Sequence, residues 1–215
     1  MRWLVLMTAL PLLATMPATA NGLSDHWRDC KQQADPDRGV AGCSWIISGF
    51  SGTNNVWTLA VAHYQRGIAH YYKGNQTELN DGDQTGSLQA GGEMDETDAA
   101  LSDYNKAIEL KTDFVEAYFS RGLAYDQRGD LDRAIADYDK AIELKPEYAD
   151  AYYSRGLDHE RKGDLAQALI DLSKAVELDP ESGAKARVAS VVARINEIAA
   201  EMAQKRSRPS VEIVR

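Results

Sequence analysis

Cysteine is nearly missing: Cys30 and Cys43 are the two in 215 residues. That excludes a disulfide-dense scaffold and a four-thiolate zinc site. Basic charge is in deficit, with 24 Lys and Arg against 33 Asp and Glu and a formal net charge of -9. Such a chain lacks the field that sequence-independent nucleic-acid binding needs. Beyond the N-terminus no apolar run approaches the roughly 20 residues that span a bilayer. There is no Gly-x-Ser-x-Gly, no phosphate loop and no dinucleotide fingerprint. His159-Glu160 does not continue to a second His, so the zinc-protease pattern fails too. No catalytic residue, no enzyme activity and no cofactor is therefore expected. What is present, 44% hydrophobic and 27% charged residues, excludes wholesale disorder.

The first twenty residues read as an address. Met1-Arg2 is followed by an apolar run from Trp3 to Leu13 and by Ala18-Thr19-Ala20. A short positive start, a run too short to span a bilayer and an A-x-A site are the parts of a secretory signal peptide. Cleavage after Ala20 would leave 195 residues with a net charge of -10. Both cysteines lie in the exported part, where an oxidising compartment favours a Cys30–Cys43 bridge over metal binding or catalysis.

A period of 34 organises the rest. Tyr118-Phe-Ser-Arg-Gly-Leu overlies Tyr152-Tyr-Ser-Arg-Gly-Leu, and Lys140-Ala-Ile-Glu-Leu overlies Lys174-Ala-Val-Glu-Leu. A further copy of the second half begins at Ser102. Its first half is displaced: Arg66-Gly-Ile-Ala precedes Arg121-Gly-Leu-Ala by 55 residues, one period plus a 21-residue insertion within residues 75–97. Each unit carries two apolar stripes at helical spacing, split by Gly-Asp, a helix stop and an N-cap.

With Gly67, Gly122 and Gly156 in the first helices, Ala100, Ala134 and Ala168 in the second, and closing Pro146 and Pro180, the chain resembles the tetratricopeptide repeat (TPR) family. The resemblance implies an all-α fold, a right-handed superhelical solenoid of antiparallel helix pairs. Three repeats are expected at 60–114, 115–148 and 149–182. A degenerate N-terminal hairpin at 21–53 would precede them, stapled by the bridge, a loop closure worth about 3 kcal/mol. Residues 183–205, with Val188, Val191, Val192, Ile195, Ile198 and Met202 along one side, are expected as a capping helix. Residues 206–215 are expected as a mobile tail.

In both clean repeats an arginine precedes an aspartate by 16 residues, which places the two at one level of an antiparallel pair. Ion pairs are expected for Arg121 with Asp137 and Arg155 with Asp171, and for Arg66 with Asp103 across the insertion. As exposed pairs they would each contribute only about 0–1 kcal/mol. His63 and His70 fall at the repeat positions of Tyr118 and Tyr125 and are expected in core packing. Asp81, Asp83 and Thr85 match the start of a calcium loop, but the twelfth position is Gly92 rather than Glu, so a flexible polar loop is preferred to a metal site.

The resemblance also implies a concave groove lined by the first helices. Its expected lining is Val61, Tyr64, Ile68, Tyr71 and Tyr72, then Glu116, Phe119, Leu123, Asp126 and Gln127, then Asp150, Tyr153, Leu157, Glu160 and Arg161. Aromatics flanked by carboxylates suit an extended partner segment with apolar side chains and some positive charge. The expected function is an exported protein–protein interaction module in a bacterial periplasm, with a protein or peptide as partner. The alternatives are a regulatory adaptor of an envelope enzyme and a calcium-dependent protein that uses the insertion.

Overall fold

The computed structural model describes residues 20–52, 55–80, 95–181 and 183–207. The calcium-loop candidates Asp81, Asp83 and Thr85 lie outside them, as do most of the apolar run at the N-terminus and the tail from residue 208. The described elements are all α-helices: α1 (Ala20–Cys30), α2 (Pro36–Phe50), α3 (Val56–Asn80), α4 (Glu96–Leu110), α5 (Val115–Gln127), α6 (Leu131–Leu144), α7 (Ala149–Lys162), α8 (Leu165–Leu178) and α9 (Ala184–Ser207). They pack as α1/α2, α3/α4, α5/α6 and α7/α8, each pair stacks on the next, and α9 packs on α8. Among the described residues no helix is long and apolar enough to cross a membrane.

The helix ends follow from local chemistry. Asp35, Asp130 and Asp164 cap α2, α6 and α8 by accepting from the backbone N–H three residues on, and Pro36 fills the first position of α2. Gly163, at φ 85°, turns the chain out of α7 in the left-handed region. This lets the Asp164 N–H reach the carbonyl of His159 at 2.8 Å. Phe114 and Tyr148 stand at the N-cap positions of α5 and α7 without side-chain caps. Their rings go into packing instead, Phe114 at 4.9 Å from Tyr64 and Tyr148 at 4.9 Å from Phe119.

Within each of the pairs α3/α4, α5/α6 and α7/α8 a glycine on the first helix receives a large side chain from the second. Gly67 faces Tyr104, Gly122 faces Tyr138, and Gly156 faces Leu172. All three partners are almost wholly buried. At the N-terminal end the Cys30–Cys43 bridge is buried with Ile46 and Ala62, and Leu23, Trp27, Ile47 and Phe50 pack around it. At the other end Val191 of α9 is buried against Ala168 and Leu172, with Val188 and Ile195 beside it. The apolar stripe on α9 is narrower than its sequence suggests, because Val192, Ile198 and Met202 remain exposed.

A methyl added at Gly122 would meet Tyr138 Cε1 at 2.5 Å, inside any real Cβ contact. Gly122→Ala should therefore destabilise by about 1–3 kcal/mol despite the gain in helix propensity of about 1 kcal/mol. Chemical denaturation checks this. A variant as stable as the parent would show that the two helices are not held at this distance.

Candidate functional site

A cleft of about 250 Å³ opens on the inner side of the first helices. Helix α3 contributes Tyr64, Ile68, Tyr71 and Tyr72, α4 contributes Tyr104, and α5 contributes Phe119, Ser120 and Leu123. Gln33, from the turn after α1, and Tyr148, from the turn before α7, close its ends. Phe114, behind this wall, fixes the Tyr64 ring. Burial pushes the hydroxyl of Tyr104 well above the ordinary phenol range and raises those of Tyr64 and Tyr148 as well. These three phenols stay protonated and give the wall polar tips on apolar rings.

Six of the fifteen expected groove residues, Tyr64, Ile68, Tyr71, Tyr72, Phe119 and Leu123, meet in this cleft. The other nine do not line it. Asp126 accepts a hydrogen bond from Arg161. Tyr153 and Leu157 pack with Leu172 and Val191 where α9 covers them, and Glu160 is buried with Arg187 Nε of α9 at 2.9 Å. The third repeat therefore spends its groove positions on the helix that ends the solenoid. Gln33, Tyr104, Ser120 and Tyr148 were not expected. Tyr148 carries a readable signal, since it follows Phe114 by one period of 34.

Behind the cleft an arginine sits in each repeat. Arg121 donates through Nε and Nη2 to both oxygens of Asp137, at 2.8 and 2.6 Å, and through Nη1 to Asn105 of α4 at 2.6 Å. Arg155 does the same with Asp171, at 2.8 and 2.6 Å, and with Asp139 of α6 at 2.5 Å. Arg66 reaches Asp103 and Ser44 of α2. Each guanidinium thus joins its own pair to the preceding one. The carboxylates of Asp103, Asp137 and Asp171 are buried, so these are not the exposed pairs that the sequence suggests. Removing one partner would strand a buried charge, a loss of about 3–5 kcal/mol.

The first repeat departs from apolar packing. His63 Nδ1 lies 2.9 Å from Asp103 Oδ1 and His70 Nδ1 lies 2.6 Å from Glu96 Oε2, both partly buried. Burial would raise the Asp103 carboxyl, but hydrogen bonds from His63 and Arg66 outweigh it and hold the group below its usual range. Glu96 is lowered in the same way by His70 and Lys73. Among the described residues no group of three or more His, Cys, Asp or Glu is arranged to hold a metal ion.

The third repeat carries Asp158 where the second has Ala124. It is 1% exposed, and one of its oxygens has no hydrogen-bond partner. Arg161 approaches the other at 3.2 Å while sharing its guanidinium with Asp126. Burial dominates and pushes the carboxyl up to about 6.

Comparisons with known proteins agree with this architecture. A family model described as TPR repeat matches residues 93–127 and 125–163, and one described as tetratricopeptide repeat matches 149–182. The fold is similar to that of MamA 41-end from Desulfovibrio magneticus RS-1, with a TM-score of 0.62 at 20% identity over 91% of this chain and 99% of that one. It is also similar to a tetratricopeptide repeat protein from Parabacteroides merdae ATCC 43184, with a TM-score of 0.60 at 17% identity over 82% of this chain and 60% of that one. The Arabidopsis OM64 TPR domain superposes with a TM-score of 0.52 at 20% identity, over 66% of this chain and 98% of that one. No curated protein sequence matches the chain.

Asp158 generates a pH prediction. Its folded value lies above the ordinary carboxylate value, so folding favours the neutral form. The stability it contributes is complete below about pH 4 and is lost as pH rises through about 6. Asp158→Asn should match the parent near pH 4 and exceed it at pH 8 by about 3 kcal/mol, two pKa units at 1.36 kcal/mol each. Denaturation curves at both pH values decide it; an equal gap at both would show that Asp158 does not titrate in this range.

Proposed function

From the tetratricopeptide repeats carried over residues 93–182, we propose that the protein is a protein–protein interaction module that holds an extended segment of a partner in its concave cleft. The observation that carries this reading is the convergence of six aromatic side chains, from α3, α4, α5 and the turn before α7, on one open cleft. Aromatic rings give large contact area with few rotatable bonds, which is what binding hot spots use. Packing of Phe114 on Tyr64 and of Tyr138 on Phe119 holds these rings in place before a partner arrives, which lowers the ordering cost of binding.

The reading also puts the protein outside the cytoplasm, in a bacterial periplasm. Two features support export: the signal-like N-terminus and the buried Cys30–Cys43 bridge, which an oxidising compartment maintains. The intact mass of protein made with its full N-terminus in a bacterial host tests this. Expected is a periplasmic species that starts at Asn21 and is lighter by the two hydrogens of the bridge. Full-length protein with free thiols in the cytosolic fraction would overturn it.

Phe119→Ala combined with Tyr71→Ala tests the cleft, with Ile170→Ala on the exposed face of α8 as the control. Crosslinking in envelope extracts followed by mass spectrometry should show partner capture reduced about tenfold in the double variant and unchanged in the control. Equal capture by both variants would count against the cleft as the binding surface.

A further inference from the structure

The chemistry of the cleft narrows its occupant. At about 250 Å³ it falls below the roughly 300–1,000 Å³ of sites that enclose a whole small molecule, so it is scaled to one large side chain. The cleft is lined by the rings of Tyr64, Tyr71, Tyr72, Phe119 and Tyr148, with Tyr104 almost wholly buried beside them, and aromatic faces carry negative potential. Burial raises the hydroxyls of Tyr64, Tyr104 and Tyr148, so these three supply no charge of their own. Fixed negative charge stands nearby instead. Glu116 acts on both Tyr64 and Tyr148, and Asp150 acts on Tyr148. Both carboxylates are exposed, in the first turns of α5 and α7.

Three classes of side chain can be weighed against this wall. A carboxylate or phosphate would enter a cleft lined by no Lys or Arg. Of the neighbouring lysines, Lys111 pairs with Asp113 at 3.0 Å and Lys145 lies over the Tyr148 ring at 4.7 Å. An aliphatic side chain would fill the volume but would cover the Gln33 amide without offering it a partner, a desolvation loss. A guanidinium meets both demands. Its plane stacks on the rings, and its five donors find acceptors in the phenol oxygens, Ser120 and Gln33. The contact of Lys145 with Tyr148 shows that a ring of this wall already takes a cation.

We propose that the cleft is a subsite for an arginine side chain on the partner segment, stacked among Tyr64, Tyr71 and Phe119 under the field of Glu116 and Asp150. This rests on the interaction-module reading and specifies what that module selects. The partner segment is basic, or neutral with one arginine at the anchor position.

The test uses the full mature chain and short neutral Gly/Ser peptides that differ at one central residue: arginine, lysine, citrulline, leucine or glutamate. Binding is followed by NMR shifts of the backbone amides of Tyr71, Phe119 and Leu123. The arginine peptide should bind about tenfold tighter than the citrulline and leucine peptides, with lysine between them and glutamate weakest. Citrulline keeps the planar shape and loses the charge, so it isolates the electrostatic part. Glu116→Gln with Asp150→Asn, both exposed and distant from the core, should weaken arginine binding about three- to tenfold and leave citrulline binding unchanged. Leucine or citrulline equal to arginine would overturn the arginine subsite while leaving the interaction module standing. Arginine shifts located away from the cleft would overturn it as well. An absence of shifts with every peptide would refute the subsite, and the crosslinking comparison would then decide the module reading separately.

Discussion

One guanidinium per repeat holds the solenoid in register. Arg121 is the clearest case: it clamps both oxygens of Asp137 on the partner helix of its own pair and reaches back to Asn105 on the pair before. Three helices are fixed by one planar group whose donors leave little angular freedom. A solenoid has no long-range contacts to enforce its geometry, so each interface must carry its own specification. Apolar contact alone would let neighbouring pairs slide, since Ala and Leu stripes fit at several offsets. A buried carboxylate that must be met by one particular arginine removes that freedom. Three such clamps are spaced through α2 to α8, and the first uses Ser44 where the others use Asn105 and Asp139.

A second row of pairs runs along the helix ends. Lys73 meets Asp37, Arg128 meets Asp98, and Lys162 meets Asp132. These contacts are exposed and each contributes little to stability. Their regularity still matters, because Asp37 and Ser44 of α2 stand in the places that Asp132 and Asp139 take in α6. The hairpin α1/α2 thus presents its neighbour with the same polar connections that a full repeat would. Among the described residues no helix packs on its outer side, and the buried Cys30–Cys43 bridge joins the two helices directly.

The helix pairs, the 34-residue period and the intra-pair spacing of Arg121 and Asp137 were legible in the sequence, because each is set by contacts within one period. Contacts between periods were less so. Asn105 and Asp139 stand 16 residues before Arg121 and Arg155, yet a polar residue on an exposed helix turn carries no mark that separates a partner from a solvated side chain. The worth of the clamp was hidden too, since burial of Asp137 comes from the stacking of neighbours. His63 and His70 sit at positions held by tyrosines elsewhere, and periodicity points to packing. The residues that engage them, Asp103 and Glu96, lie beyond the insertion in sequence. Six of the fifteen expected groove positions meet in the cleft. Leu157 and Glu160 of the third repeat follow from what the next helix brings, and that depends on where the array stops.

That last dependence explains why the third repeat is chemically unlike the first two. In a repeating array each first helix offers its inner positions to the next first helix, and at the end that neighbour is α9. Arg187 and Arg194 of α9 face Glu160, and Val191 fills the space beside Leu157 and Leu172. Glu160 is therefore buried by the cap rather than presented to a ligand. Asp158, two residues earlier at a position that is Ala124 in the second repeat, is buried with only a shared arginine to balance it. The solenoid thus concentrates its electrostatic cost at the capped end and leaves the neutral aromatic wall at the other. A ligand that carries positive charge meets unpaired carboxylates at Glu116 and Asp150 as it approaches that wall. The arginines of α9, held by Glu160, do not stand in its way. The charge that fixes the fold sits in the buried Arg–Asp clamps and the charge available for recognition on exposed Glu116 and Asp150, so the cleft can select a cation without competing with the pairs that hold the helices together.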